Sequence, residues 1–490
     1  MTRTRSLDDV AADYRGALRA ADAGRLTEFD LTPYDRTGVP VRATVWDSAG
    51  GGDAHGVGYG AEPPTAAVGA LGEVAERVLM TAAIRALPVR SGSFRDLVGA
   101  LGDRHVADPV ALIPEAGTGY HPDRPLDWLP TVRWRTGETV WVPAEFACSD
   151  HGTLPPAARA RPLLATPITN GLGAGDTLER AVGHGLLELV QRDGDNVSFR
   201  ALDQGVVVDL STAMTDLTSQ VLTTLQSAGI EPVVKLASTE FACVVYCIGR
   251  DADPEVPPMA LSAIGEAAHP DRDVAVVKAL LEFASSRARR AFAFGPLETV
   301  RRLSPDYLAA ELARPLGPQE PRALAAMREW AEWDADRMRG AVEPMFVHRD
   351  TVALDELPTQ RVGGPADLLA TLLDRLADFD VLVVPAGEDG SMRAAKVLAP
   401  GLEVETMSYL RIGERAARQL LARGSELVGP GAPGSPDQLP VPLTGAAEQR
   451  LGGPVWIDRA AVARTVGPLY PLYREPRRHA VQRLAPGGWS

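Results

Sequence analysis

The chain has 490 residues, about three domains' worth of polypeptide, or two large ones, at roughly 150 residues per domain. Its 45% apolar and 23% charged residues are enough to build a core without disulfide or metal staples. Fifty Lys plus Arg stand against 64 Asp plus Glu, a net charge of −14, which argues against nucleic-acid binding by bulk charge and against docking on anionic membranes. No run reaches the ~18 apolar residues of a membrane span, and the basic start MTRTRSLDDVAADYRG has no apolar signal region behind it. The expectation is a cytoplasmic protein. Cys148, Cys243 and Cys247 are too few for a disulfide framework and read as small core hydrophobes.

The alternation in Val39–Asp47 predicts a strand. Gly50–Gly60 (GGGDAHGVGYG) reads as a Gly-rich loop that fits neither the P-loop nor the full dinucleotide fingerprint. Pro63–Leu87 reads as a helix with its prolines in the permitted first turn. Residues 92–160 mix short helical and strand-like pieces. A second Gly-rich loop, Thr169–Asp176 (TNGLGAGD), runs into a second long helix, with Asp176 and Glu179 as a capping-box-like start. A βαββ pattern follows: Val206–Leu210, a helix near Thr212–Ala228, Pro232–Ser238 and Phe241–Gly249. A third long helix covers about Asp273–Ala293, and the chain is helix-rich to Val342. Ala366–Gly387 reads as a helix and a strand, and 428–442 (VGPGAPGSPDQLPVP) as a Pro/Gly linker. The expected organisation is an N-terminal segment (1–45), one large domain (46–425), a linker (426–445) and a tail packing on the domain (446–490).

Polar residues recur on otherwise apolar helices. The first long helix carries Glu73, Glu76 and Arg77, the second Glu188, Gln191 and Arg192, at i, i+3 and i+4, which share one face. LGEVAER (Leu71–Arg77) and LLELVQR (Leu186–Arg192) echo each other, and the third helix offers Glu282 and Arg287 in LLEFASSR. His184 lies one turn before Glu188. Intrahelical ion pairs on solvated faces would be worth only ~0.2–0.5 kcal/mol each. Apolar flanks argue instead for a shared site, because buried charges want partners or metals. Carboxylates from several helices would hold Mg²⁺, and arginines would hold phosphate oxygens.

These segments resemble the YcaO family of ATP-dependent enzymes that activate backbone amides in ribosomally made peptides. The resemblance rests on Gly58–Tyr59–Gly60 with GALGEVAER (Gly69–Arg77), on Thr169–Gly194 and on Leu280–Arg287, with Lys396–Glu405 and Arg411–Arg415 as a late region. It implies an α+β fold with internal pseudo-symmetry, mixed sheets packed with long helices. It also implies that ATP and Mg²⁺ are bound by Glu73, Glu76, Arg77, Asp176, Glu188, Gln191, Arg192, Glu282 and Arg287, with Glu73, Glu76 and Glu188 on the metal. Four features depart from the family pattern: Gly69 for Ser, Tyr59 for Lys, Ser285 for Gln, and an ending in LAPGGWS where azole-forming members carry Pro-x-Pro-x-Pro, with PLYPLYREP (Pro468–Pro476) nearby.

The implied chemistry is cyclodehydration of Cys, Ser or Thr in a precursor peptide to azolines. Thioamide or amidine formation, or a non-catalytic scaffold role, are the alternatives. The ~45 residues before the first strand are too few for a leader-binding domain by the ordinary size of domains. A separate leader-binding or accessory protein is therefore expected, with a homodimer as a further possibility.

Overall fold

The computed structural model describes residues 5–49, 52–212, 214–387, 392–404 and 410–485. Gly50 and Gly51, Glu405 and the last five residues of LAPGGWS lie outside them. Three glycine-bearing strands, each leading into a long helix, organise the molecule. The first is Asp53–Tyr59, which occupies most of the expected first Gly-rich loop. Its period-2 pattern puts Ala54, Gly56 and Gly58 inward and His55, Val57 and Tyr59 half out. It closes an antiparallel sheet with Val41–Ser48 and Gly24–Asp30. Gly58 is required by close approach: a Cβ there would stand 2.7 Å from the Gly69 carbonyl carbon of helix Pro63–Ala86.

The second expected loop is half strand, Leu172–Gly175, followed by helix Leu178–Asp195. Here a Cβ on Gly173 would stand 2.9 Å from the Gly185 amide nitrogen. The echo between Leu71–Arg77 and Leu186–Arg192 is thus a repeated unit, a glycine-faced strand with a helix laid on it. Thr177 caps the second helix by accepting the Arg180 N–H. The expected cap, Asp176, instead pairs with the Arg180 side chain at 2.7 Å. The third unit is strand Gly265–His269 with helix Arg272–Phe294.

Two larger sheets frame these helices. One has the order Gly265–His269, Cys243–Asp251, Ile230–Ser238, Val206–Asp209, Asp350–Ala353, antiparallel except for the last pair. The other runs Arg90–Gly92, Leu126–Arg133, Leu382–Ala386, Arg393–Leu398, Leu172–Gly175, with Thr139–Pro143 paired to its second strand. The fold is α+β. Cys148, Cys243 and Cys247 are free and buried. Among the described residues no helix is long and apolar enough to cross a membrane.

The Pro/Gly-rich stretch 428–442 carries two short strands, Val428–Pro430 and Gln438–Pro440, which flank Val455–Asp458 in a small sheet. Helix Glu414–Ala422 leads into it. The buried Glu403 carboxylate pins the start of that helix by accepting the N–H groups of Gly413 (2.8 Å), Arg415 (2.6 Å) and Ala416 (3.0 Å).

Candidate active site

The three long helices meet around a cavity of about 680 Å³. Glu73 and Arg77 line it from the first helix, Arg192 from the second and Glu282 from the third, with Val57 and Tyr59 from the glycine-faced strand. The two repeats present their first glutamates in the same way. Glu73 accepts the Val57 N–H at 2.9 Å, and Glu188 accepts the Gly171 N–H at 2.9 Å. The first helix thus binds the strand it lies on and the second binds the residue just before its strand, because glycine lets the backbones close up.

Burial raises the carboxyls of Glu73, Glu76 and Glu188 above the ordinary range. Glu76 is pushed furthest, because Glu73 and Glu188 add like-charge repulsion to its burial. Glu73 is exposed to the cavity, and Glu76 is half-buried behind it. His184 reaches this group too, its Nε2 3.8 Å from Glu76 Oε1. Such a cluster calls for a cation. Glu282 is pushed up to about 7 by burial and by Glu266, while the Tyr59 hydroxyl, donating at 2.9 Å, pulls it down. Tyr59 itself, held well above its usual range by burial and the neighbouring glutamates, stays a neutral donor.

A second centre forms around Glu266, on strand Gly265–His269, which the sequence reading missed. It accepts from Arg192 (2.7 Å), Arg200 (3.3 Å) and Gln191 (3.4 Å). Burial would raise its carboxyl, but the two arginines prevail and hold it low. Burial and Glu266 push the adjacent Asp195 well up.

Glu76, Glu188 and Gln191 are not among the residues that line the cavity, and two further expected residues stand apart from the cluster. Arg287 is fully buried, its guanidinium bound to Asp35 (3.0 Å) and Asp251 (2.9 Å), so it braces the third helix against the N-terminal segment rather than facing the cavity. Asp176 sits at the start of the second helix with Arg180 and does not line the cavity. The C-terminal stretch does reach it: Leu472, Tyr473, Glu475 and Arg478 form part of the wall. Glu475 is anchored to Arg289 at 3.0 Å and to Arg290. A lone Glu before the third motif, in GEAAH, and the carboxylate of PLYREP were the available signals for these additions.

Among the described residues the one trio of metal-ligating types within 4.8 Å of one another is Asp53, His55 and Glu311. Arg477 and Arg314 already bind both carboxylates of that trio, so it is a charge-balanced strut. Glu73, Glu76 and Glu188 do not come that close together, so one Mg²⁺ would reach some of them only through its water shell.

A family model described as YcaO cyclodehydratase, ATP- and Mg²⁺-binding, matches residues 57–403. The chain belongs to the YcaO family. An uncharacterized protein of Methanothermobacter thermautotrophicus is 28% identical over 396 residues, covering 80% of this chain and 92% of that protein. The YcaO structure from Methanopyrus kandleri, bound with AMPPCP and Mg²⁺, is 21% identical with a TM-score of 0.55, covering 82% of this chain and 92% of that one. A heterocyclase in complex with substrate and cofactor is 16% identical with a TM-score of 0.58, covering 82% of this chain and 52% of its own. These structures share the fold. ATP and Mg²⁺ are the cofactors of this YcaO protein, and its carboxylate cluster and cavity arginines are of the right chemistry for both.

Proposed function

We propose that this YcaO protein uses ATP to activate a backbone amide of a ribosomally made precursor peptide and forms azoline rings by cyclodehydration of Cys, Ser or Thr. The observation that carries the reading is the convergence of two repeated Glu-bearing helices and a third on one cavity, with arginines on its walls. Glu73, Glu76 and Glu188 would hold Mg²⁺, which would supply positive charge to neutralise the triphosphate. Arg77 and Arg192 would hold phosphate oxygens, with Gln191 and Glu282 completing the nucleotide set; Asp176 is left out because it pairs with Arg180 and does not line the cavity. Arg287 is left out of that set because its charge is spent on Asp35 and Asp251.

In the proposed reaction a substrate thiol or hydroxyl adds to the carbonyl carbon of the preceding residue. The carbonyl oxygen then takes the γ-phosphoryl group, and ADP leaves with the broken bond's electron pair. The amide nitrogen's lone pair forms C=N and expels phosphate together with that oxygen. The protons of the nucleophile and of the amide pass to solvent or phosphate, so each ring costs the peptide one water. The protein's part is positioning and charge stabilisation. All three of its thiols are buried, and burial raises each of them away from the thiolate. A separate leader-binding or accessory protein is the partner in this proposal. A homodimer and a cytoplasmic setting remain part of the proposal.

The test is mass spectrometry of candidate precursor peptides incubated with the protein, ATP and Mg²⁺. Loss of one water per ring, matched by one ADP, is expected. Replacement of oxygen by sulfur or by an amine would reassign the product to a thioamide or amidine. Peptide modification that persists in Glu73→Gln would refute the site.

A further inference from the structure

We propose that Arg200 forms a phosphate subsite beside the nucleotide carboxylates, holding the phosphate group as it departs from the substrate. The proposal rests on the phosphoryl-transfer reading above. Arg200 lines the cavity and lies outside the three motifs. Its backbone is left-handed, with φ 55°, a conformation that costs a non-glycine residue about 1–3 kcal/mol and persists only where the surroundings enforce it. Those surroundings are present. The next residue's N–H donates to the Tyr473 hydroxyl at 3.0 Å. The Arg200 guanidinium packs on the rings of Phe199 (4.3 Å) and Tyr473 (5.1 Å), and it donates to Glu266 at 3.3 Å. The side chain is only 13% exposed, so the head group is fixed before any ligand arrives.

Arg192 and Arg200 are two cations sharing one carboxylate, Glu266. Burial and Glu266 push the nearby Asp195 carboxyl well above its ordinary range. Both arginines also keep a buried Nε–H without a hydrogen-bond partner. Glu188 lies 3.8 Å from Arg192 and is among the carboxylates proposed above to hold Mg²⁺. Glu475, farther along the wall, is taken by Arg289 and Arg290. Two guanidiniums that share a carboxylate and keep buried, unpartnered N–H donors at the cavity can take an anion. A guanidinium suits a phosphate, whose oxygens it can meet two at a time. In the last step the C–O bond breaks, and phosphate takes the bond pair and the oxygen while the nitrogen lone pair forms C=N. Negative charge therefore grows on the phosphate during departure, and a fixed guanidinium binds that state better than the ground state.

The test titrates inorganic phosphate into the full chain saturated with ADP and Mg²⁺. The wild type binds phosphate. Arg200→Gln weakens phosphate at least tenfold and leaves the ADP affinity unchanged. Arg200→Lys, which keeps the charge but not the planar fork, falls between. The proposal is overturned if the wild type binds ADP but no phosphate, if Arg200→Gln binds phosphate as the wild type does, or if both ligands weaken together. Should the variants fail to fold, the wild type alone decides it: phosphate must protect Arg200 from modification by phenylglyoxal, and equal modification with and without phosphate overturns the proposal. A wild type that binds no ADP would instead refute the nucleotide reading.

Discussion

Gly173→Ala tests the link between the glycine-faced strands and the carboxylates. The added Cβ would stand 2.9 Å from the Gly185 amide nitrogen and closer still to the Ala181 carbonyl oxygen, where ordinary contact begins at 3.4 Å. Strand Leu172–Gly175 must therefore retreat from the second helix by at least 0.5 Å, the difference between 3.4 and 2.9 Å. Both neighbours are backbone, so no side chain can swing aside. Overpacking of this kind costs about 1–3 kcal/mol, and weakening the 2.9 Å bond from the Gly171 N–H to the Glu188 carboxylate forfeits a charged hydrogen bond worth about 1.5–3 kcal/mol. The sum, about 3 kcal/mol or more, is a large part of a typical folding free energy of about 5–15 kcal/mol. Gly16→Ala is the control. Gly16 lies inside helix Leu7–Ala21 with nothing within 4 Å of its Cβ position, so alanine there stabilises by about 0.5–1 kcal/mol. Urea denaturation reads both stabilities, and calorimetric titration with ATP and Mg²⁺ reads the site. The expected outcome is opposite signs of stability change, with ATP affinity reduced only in Gly173→Ala. Unchanged stability and affinity in Gly173→Ala would refute the reasoning.

Three further predictions follow from named contacts. Tyr59→Phe removes the donor that lowers Glu282, so the acid limb of Mg²⁺-dependent ATP hydrolysis, near pH 7 in the wild type, moves to higher pH; an unmoved limb would show that Glu282 does not govern it. Arg287→Met leaves Asp35 and Asp251 without their shared buried partner and costs about 3–5 kcal/mol of stability, while ATP affinity per folded molecule, measured by calorimetry, stays as in the wild type. Glu403 is pushed up to about 7 by burial, so the native state keeps a proton between about pH 4.5 and 7 that the unfolded chain has released. Its contribution to stability is present at the acid end of that window and falls as pH rises through it. The stability difference between wild type and Glu403→Gln, from denaturation midpoints, should shrink from about pH 5 to about pH 7, and a difference that grows would contradict this.

The charged helix faces were legible because i, i+3, i+4 spacing is a local property: Glu73, Arg77, Arg192 and Glu282 all line the cavity. The glycines were visible but misread. Glycine in a run such as DAHGVGYG signals a loop by propensity, whereas here it serves a helix lying against a strand, a tertiary demand that overrides propensity. Arg287 shows the same limit from the other side. It shares a helix with Glu282 but sits five residues on, about 140° further round the axis at 3.6 residues per turn, and so meets Asp35 and Asp251. Glu266, Arg200 and Glu475 escaped because none belongs to a spaced motif. Their roles come from contacts between distant parts of the chain, such as Arg200 with Tyr473. The stretch 428–442 reads as a linker by composition, yet two of its three-residue pieces pair with Val455–Asp458, because strands that short leave little periodicity to detect.

The central claim is that the first two helices jointly bind Mg²⁺ and ATP. The direct measurement is calorimetric titration of ATP, with and without Mg²⁺, into the wild type, Glu73→Gln and Glu188→Gln. The account predicts Mg²⁺-dependent binding in the wild type and its loss in both variants, with all three equally folded. Binding that ignores Mg²⁺, or that survives both substitutions, would contradict it.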